Sequence, residues 1–399
     1  MDKNIISIII ISFFKFYYLL ISVSFYAYIP LFFAASGFEE KSVGFLFALQ
    51  SFMAILTYLP SGVINDKISA RQQVIIATFI YSFFMLLLNF AVTYIHFIAL
   101  FILWGISATM IDNSTNVIYY KESQVIKSRL FFSLFAITGT MAYAVGGKLG
   151  AFLSDSGNFA FLFKTLFVMS LLLIFFSFFL TDTRAAKIQI SDYKKEVLSF
   201  DSLIIAANLF LFTYHWGAEL TYFTIFFNKN AGLGLSEISY IYLEVGLLMS
   251  AIIFALGILK TGLRFAPRNA LLIAVAFSGG SQVSMIYITG LGGALLNQFF
   301  HSIGDACFIY YWLNIIPATF KYEKIGGASS FVNLFTVLSV VSGSFISSLA
   351  VGEFANPYAA FFVSSFLMFL IYPLSFFQNY KKSKSEVINL INIMEVPVK

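Results

Sequence analysis

Two stretches of this chain each place a histidine and an acid four residues apart. They are His215-Trp-Gly-Ala-Glu219 and His301-Ser-Ile-Gly-Asp305. Residues four apart share one face of a helix, so each stretch would present a base beside a carboxylic acid. The charge of histidine changes near neutral pH, which suits it to proton transfer with a neighbouring carboxylate. The two stretches therefore predict a proton relay, and the alternative is a set of polar contacts that hold helices together.

Both stretches lie inside long apolar segments, where ionisable side chains are costly and commonly functional. The chain has twelve such segments. The seventh is expected to cross a membrane outward, away from the cytoplasm, and the tenth to cross it inward. At 1.5 Å per residue, Glu219 and His301 then each lie roughly 12–14 Å from the outer boundary. By the same measure His215 and Asp305 each lie roughly 18–20 Å from it. These matching depths predict the pairs Glu219–His301 and His215–Asp305.

Four further ionisable residues lie inside apolar segments. Lys15 and Asp112 lie about 15 Å and about 10 Å from the inner ends of the first and fourth segments. They could form an ion pair beside Asn116, although the long stem of Lys15 also allows its ammonium to reach the inner surface. Lys148 and Glu244 lie near the outer ends of the fifth and eighth segments. Lys148 could likewise extend outward to the membrane surface.

The composition indicates what kind of protein positions these groups. The 399 residues are 60% hydrophobic and include 51 Phe, far from the balance of a soluble domain. Apolar runs of about 20 residues can cross a hydrocarbon core of about 30 Å as helices, and they lack the alternation of barrel strands. The predicted spans are 5–33, 43–64, 73–92, 95–119, 130–153, 160–180, 203–227, 236–258, 270–289, 292–317, 326–350 and 357–378.

The distribution of cations predicts the orientation. Most Lys and Arg residues fall in the loops of one side, while the other side receives only Lys41, Lys164 and Lys229. The cation-rich side is expected in the cytoplasm with both termini, which accounts for the net charge of +5 without nucleic-acid binding. The first run is too long for a signal-peptide core, so it should remain as a helix. The single cysteine, Cys307, lies in a late span and indicates no disulfide framework.

The loop between the second and third spans reads Gly62-Val-Ile-Asn-Asp66-Lys67-Ile-Ser-Ala-Arg71. It resembles the loop Gly-x-x-x-Asp-Arg/Lys-x-Gly-Arg-Arg/Lys of the major facilitator superfamily, in which Gly62, Asp66, Lys67 and Arg71 fit the pattern. The alternative is a membrane turn whose cations hold it in the cytoplasm. The resemblance implies a gating role for these four residues. We expect Asp66 to cap or bridge the cytoplasmic end of a helix in the second half of the chain.

The resemblance also implies the architecture: an all-α membrane protein of twelve helices in two six-helix bundles around one cavity. The longest charged connection separates the bundles, which predicts bundles at 1–180 and 203–380, a linker at 181–202 and a tail at 381–399. In that fold helices 5 and 8 meet across the halves, so Lys148 and Glu244 are expected to form an outer latch. The predicted cavity residues are Lys15, Asp112, Asn116, Asn208, Tyr222 and Asn297.

Shorter pieces resemble the lactose-permease branch, the oligosaccharide–proton symporters. They are Phe13-Phe-Lys-Phe-Tyr-Tyr with Tyr28-Ile-Pro-Leu-Phe-Phe, Arg129-Leu-Phe-Phe-Ser-Leu-Phe, and Phe300-His301. This resemblance implies symport of a small polar solute with protons. Glu219, His301 and Asp305 would carry the proton, with His215 as their orienting partner.

Two other functions stay open. One is efflux of a drug, peptide antibiotic or siderophore, although Gly146-Gly147-Lys148 lacks the proline typical of helix 5 in such exporters. The other is a membrane receptor or assembly partner that transports nothing. Neither an enzyme nor an ATP-driven pump is expected, because the chain has no nucleotide or metal motif, and we predict no cofactor. The expected partners are a small-molecule substrate, protons and the lipid bilayer, for a monomer in a bacterial inner membrane.

Overall fold

A computed structural model describes residues 3–38, 40–126, 129–154, 159–182, 193–258, 266–354 and 358–375. Within these ranges the regular structure is entirely helical, as predicted. Part of the predicted linker 181–202 and all of the predicted tail 381–399 lie outside them.

Twelve helical segments of the described chain correspond to the twelve predicted spans. Three of them are extended by a second helical piece: α1 by Ile29–Ala35, α9 by Gly280–Ser284 and α12 by Ile371–Ser375. The segments are α1 Lys3–Tyr26, α2 Glu40–Lys67, α3 Ala70–Leu88, α4 Tyr94–Ile126, α5 Arg129–Leu153, α6 Phe159–Ser177, α7 Phe200–Lys229, α8 Leu235–Ile258, α9 Pro267–Ala274, α10 Gly290–Thr319, α11 Ile325–Phe354 and α12 Tyr358–Phe369.

Eleven of these segments, among the described residues, are long and apolar enough to cross a membrane. The remaining one is α10, which is 30 residues long and contains the polar residues Asn297, Gln298, His301 and Asp305. The helix surfaces that face away from the interior of the protein are apolar as well. On α3, for example, Ile76, Phe79 and Phe83 are each more than half exposed, whereas Tyr81 on the opposite face is fully buried. A stripe of this kind is suited to lipid contact.

The two halves of the chain repeat one packing plan. In the first half α1 packs on α5, α2 on α4, and α3 on α6. In the second half the same pairs recur six helices later: α7 packs on α11, α8 on α10, and α9 on α12. The most extensive contacts between the halves, α2 with α11 and α5 with α8, are related by the same shift. The residue limits of the two bundles stay a prediction, since residues 183–192 of the connection between them lie outside the described ranges.

Glycines allow the closest helix crossings. On α7, a Cβ added to Gly217 would lie 2.7 Å from the backbone nitrogen of Ser344 and 3.0 Å from the Cα of Gly343, both on α11. On α8, a Cβ on Gly246 would lie 2.5 Å from the backbone nitrogen of Ala144 on α5. Any larger residue at these positions would push the helices apart. Such contacts matter in a membrane, where small residues rather than the hydrophobic effect bring helices together.

Candidate functional site

The two predicted histidine–carboxylate pairs form between α7 and α10. The Nε2 atom of His301 lies 3.0 Å from Oε1 of Glu219, and Nε2 of His215 lies 3.3 Å from Oδ1 of Asp305. Within α10, Nε2 of His301 also lies 3.6 Å from Oδ2 of Asp305. The pairing by depth is therefore confirmed. We call these four residues the histidine–carboxylate cluster.

Three members of the cluster are buried and one is partly open. His215, His301 and Asp305 are each at least nine-tenths buried, whereas the side chain of Glu219 is 16% exposed. Charged groups so deep are tolerated only when they are paired and hydrogen-bonded. Glu219 is therefore the most exposed member of the cluster.

Helix α9 supplies neutral partners that the sequence analysis missed. Ser278 donates to Oδ1 of Asp305 at 2.6 Å, and Gln282 donates to Oε1 of Glu219 at 2.7 Å. The hydroxyl of Ser281 lies 3.0 Å from Nδ1 of His301. The helix passes through one wide π turn at Val275–Gly279, a distortion that is frequent at functional sites. Serine and glutamine are not ionisable, so the search for charged residues inside the spans did not single out these positions.

Helix α7 completes the surroundings of the cluster. Trp216 donates its indole N–H to Oδ2 of Asp305 at 2.8 Å. The Nδ1 atom of His215 lies 2.6 Å from the carbonyl oxygen of Phe212. Because a carbonyl oxygen can only accept, Nδ1 of His215 carries a proton, and Nε2 is the ring nitrogen that lies near Asp305. Each ring is thus oriented through its Nδ1 atom and presents Nε2 to the carboxylates.

A second polar cluster lies in the first half of the chain. The ammonium of Lys15 lies 3.3 Å from Oδ1 of Asp112 and donates to Oδ1 of Asn116. Asn116 in turn donates to Oδ2 of Asp112 at 3.1 Å, and Lys15 lies 4.8 Å from the ring centroid of Phe135. The predicted ion pair is confirmed. The side chain of Asp112 is 36% exposed, so this cluster is more open than the one between α7 and α10.

The other predicted cavity residues are held by neighbouring side chains and helices. Asn208 is fully buried and donates to the hydroxyl of Tyr311 at 3.4 Å. Asn297 donates to the carbonyl oxygen of Ser281 at 2.9 Å, which ties α10 to α9. Tyr222 is half-buried and packs on the apolar residues around α7 and α8. A role of these three residues in substrate binding stays a prediction.

Asp66 joins the two halves of the chain at the end that is predicted to be cytoplasmic. It is fully buried and accepts hydrogen bonds from the backbone N–H groups of Gly326 and Gly327, at 3.3 and 2.8 Å. These groups belong to the first turn of α11, where free N–H groups and the helix dipole favour an anion. The expectation that Asp66 caps a helix of the second half is confirmed. Its gating role stays a prediction.

The cation that neutralises Asp66 comes from another helix. Lys121, near the end of α4, places its ammonium 3.1 Å from Oδ1 of Asp66, with its side chain only 2% exposed. Tyr193, from the predicted linker, donates to Oδ2 at 2.9 Å. The adjacent Lys67 is exposed and Arg71 is half-buried. The two cations that the loop pattern singled out therefore do not neutralise Asp66, because the last turn of α2 directs Lys67 away from α11.

The same end is closed by direct helix contact. A Cβ added to Gly62 would meet Ser330 and would lie 2.6 Å from the carbonyl oxygen of Gly326, so only glycine permits this approach of α2 to α11. Gln124 of α4 donates to the carbonyl oxygens of Pro317 and Phe320 at the end of α10, each at 3.1 Å. The end that bears Asp66 is therefore shut by residues from both halves.

The predicted Lys148–Glu244 latch is wrong for this structure. Lys148 does reach across to α8, but it donates to the hydroxyl of Ser239 at 3.0 Å and lies 3.2 Å above the ring of Tyr240. Oε2 of Glu244 is buried without a hydrogen-bond partner in the described part of the chain. The face of α8 toward α5 includes Tyr242 and Gly246. Glu244 lies two residues from each of them, or about 200° around the helix, and so points away from α5.

We expect a double-mutant cycle at Lys148 and Glu244 to show no coupling. The combined Lys148→Met and Glu244→Gln variant should differ from the sum of the single variants by less than about 0.5 kcal/mol of unfolding free energy. Thermal unfolding of the four proteins in detergent measures this. A double variant that is more stable than the sum of the two single changes predicts, by more than about 1 kcal/mol, would instead indicate a direct pair. Ser239→Ala is the matched control, because it removes the contact that Lys148 makes.

Comparisons with known proteins agree with this architecture. Residues 7–297 match the sequence family described as Major Facilitator Superfamily. Among solved structures, the crystal structure of the human organic anion transporter MFSD10 (TETRAN) is similar to this chain, with a TM-score of 0.77 and 15% sequence identity. The alignment covers 94% of this chain and 100% of that one. A search of curated protein sequences finds no match.

Because the family match extends over more than half of its length, the chain belongs to the major facilitator superfamily. It is a multi-pass membrane protein of a family of transporters. The likeness to the human transporter, at this identity, establishes the fold alone. Neither comparison establishes the resemblance to the lactose-permease branch.

Proposed function

We propose that this protein is a proton-coupled secondary active transporter that moves a small polar solute across a bacterial inner membrane by alternating access, as a symporter. The observation that carries the proposal is the histidine–carboxylate cluster. It places two imidazoles and two carboxylates in contact inside membrane-spanning helices, where such groups are expensive to maintain for packing alone. Groups of this kind can take up and release a proton during each transport cycle.

The contacts around Asp66 support alternating access. They shut one end of the molecule through residues of both halves, and a transporter must be able to break such contacts when the bundles rock. We place the solute beside Lys15, Asp112 and Asn116, because this second cluster contains a carboxylate that is about one-third exposed. The two clusters would have separate roles. The first half of the chain would bind solute and the second half would bind the proton.

The proposal is tested with the purified chain in proteoliposomes. A defined panel of sugars, amino acids and organic acids is offered outside, with an acidic exterior as the driving force, and the contents are measured by mass spectrometry. At least one solute should accumulate, and a protonophore should abolish its accumulation. Accumulation that a protonophore leaves unchanged would contradict proton coupling. Accumulation only with an acidic interior would indicate antiport and favour efflux.

A further inference from the structure

We infer that the histidine–carboxylate cluster is a binding site for a divalent transition-metal ion of the Zn²⁺ and Co²⁺ class. One ring nitrogen of His215, one ring nitrogen of His301 and a carboxylate oxygen of Glu219 all lie within 4.8 Å of one another, and Asp305 contacts both imidazoles. Two imidazoles with carboxylates form a donor set that such ions prefer. The inference goes beyond the proposed proton coupling and does not depend on it.

The contacts within the cluster are close to the spacing around one tetrahedral ion. Bonds of about 2.0–2.1 Å place neighbouring ligand atoms about 3.3 Å apart around a tetrahedral centre. The three contacts between imidazole nitrogens and carboxylate oxygens measure 3.0, 3.3 and 3.6 Å. The ligand atoms of His215, Glu219 and His301 lie within 4.8 Å of one another, so no pair of them would have to approach by more than about 1.5 Å to close around an ion.

One donor atom is buried without a hydrogen-bond partner. Nε2 of His215 lies near Asp305, but its direction does not fit a hydrogen bond, and no other described residue supplies one. His215 is fully buried, and its Nδ1 is already occupied by the carbonyl oxygen of Phe212. A buried nitrogen of this kind loses its hydration without compensation. A metal ion coordinated by Nε2 would satisfy it.

The surroundings have the form of an outer coordination shell. Metal-binding histidines usually engage their second ring nitrogen with a hydrogen-bonding partner, which fixes the orientation of the ring. Here Nδ1 of His215 is engaged by Phe212 and Nδ1 of His301 by Ser281. The carboxylates are held in the same way, by Ser278 and Trp216 on Asp305 and by Gln282 on Glu219.

The charge of the cluster also favours a bound divalent ion. The side chains that donate to its carboxylates, from Trp216, Ser278 and Gln282, are neutral. Asp305 is buried and Glu219 is mostly so, and both need positive charge nearby, from protonated imidazoles or from a bound cation, since an uncompensated charge in a low-dielectric interior is strongly unfavourable. One divalent ion supplies this charge while the imidazoles remain neutral donors. Glu219, the partly exposed member, provides the side from which an ion could enter and leave.

Co²⁺ is a suitable probe, because its visible absorption is intense when four ligands surround it and weak in the hydrated six-coordinate ion. The full chain is purified in detergent without a polyhistidine tag, freed of metal with a chelator and titrated with Co²⁺. We expect one ion per chain with a four-coordinate spectrum that Zn²⁺ displaces. His96→Ala is the matched control. It removes the remaining histidine, which is exposed and distant in sequence from the cluster, and should leave the spectrum unchanged.

Variants of the cluster distinguish the loss of a metal ligand from the loss of folding. His215→Gln and His301→Gln should each abolish the four-coordinate spectrum, and Ser281→Ala, which keeps all four ligands, should weaken affinity about tenfold. A weak six-coordinate spectrum in the unaltered chain, or an intense one that survives in His215→Gln and His301→Gln, would overturn the inference. Size-exclusion elution confirms that each variant is folded. The titration uses no gradient, and the transport assay described above is repeated with a chelator present. Failure of this inference and failure of proton coupling are therefore distinguishable.

Discussion

Replacing Glu219 with Gln is expected to abolish gradient-driven accumulation of solute while leaving exchange of solute across the membrane intact. The amide keeps the shape of the side chain and can still contact Gln282 and His301, so packing is preserved. It cannot change protonation, however, and a coupling group must do so in every cycle. Asp305→Asn should have the same effect. Accumulation should fall to the level of passive equilibration in both proteins.

The measurement compares uptake against a pH gradient with exchange of labelled for unlabelled solute in the same proteoliposomes. Glu237→Gln is the matched control, because Glu237 lies in the first turn of α8, away from the cluster, and contacts the backbone of Gly234. It should retain both activities. If Glu219→Gln and Asp305→Asn both accumulate solute as well as the unaltered chain does, α7 and α10 are not the proton path. The pair Lys15–Asp112 would then be the next candidate.

Asp66→Asn is expected to open the end of the molecule that it closes. The change weakens the hydrogen bonds to Gly326 and Gly327 and leaves the buried ammonium of Lys121 without its carboxylate. Removing one partner of a buried ion pair costs about 3–5 kcal/mol. If the cost falls on the closed state alone, the ratio of closed to open molecules drops by about two to four orders of magnitude. Inward-facing molecules should then be the majority.

Cysteine labelling measures this shift. The single native cysteine is replaced, Cys307→Ser, and a reporter is introduced as Ser330→Cys, at a fully buried position against Gly62. Asp66→Asn should raise the labelling rate by an impermeant maleimide in inside-out vesicles. Adding Lys121→Met should restore much of the protection, because no lone charge then remains. Lys67→Gln, at the exposed neighbour, is the control without effect. Equal labelling of the Asp66→Asn and unaltered proteins would show that Asp66 does not hold this end shut.

The sequence by itself determined the class of protein, its spans and the depth of its polar residues. Continuous apolar runs of membrane length permit only helices, and a helix rises by a fixed distance per residue. That is why residue counting paired Glu219 with His301 and His215 with Asp305, and why Lys15 could be matched to Asp112. The charged stretch at the end of α2 located the Asp66 contact in the same way, since a lone acid at a helix end requires N–H groups or a cation.

Tertiary structure decided everything that depends on the rotation of a helix about its axis and on its choice of neighbours. Glu244 has the right depth for Lys148 but the wrong direction, because close packing at Gly246 turns that face of α8 toward α5. Lys121 rather than Lys67 neutralises Asp66, because α4 packs against α2 at this end. The π turn of α9 contains Ser278, which contacts the cluster, and only the packing of α7 on α10 brings together the four residues of the histidine–carboxylate cluster from two short sequence stretches. Depth follows from covalent geometry and the thickness of the bilayer, whereas direction follows from side-chain packing between helices that are distant in sequence.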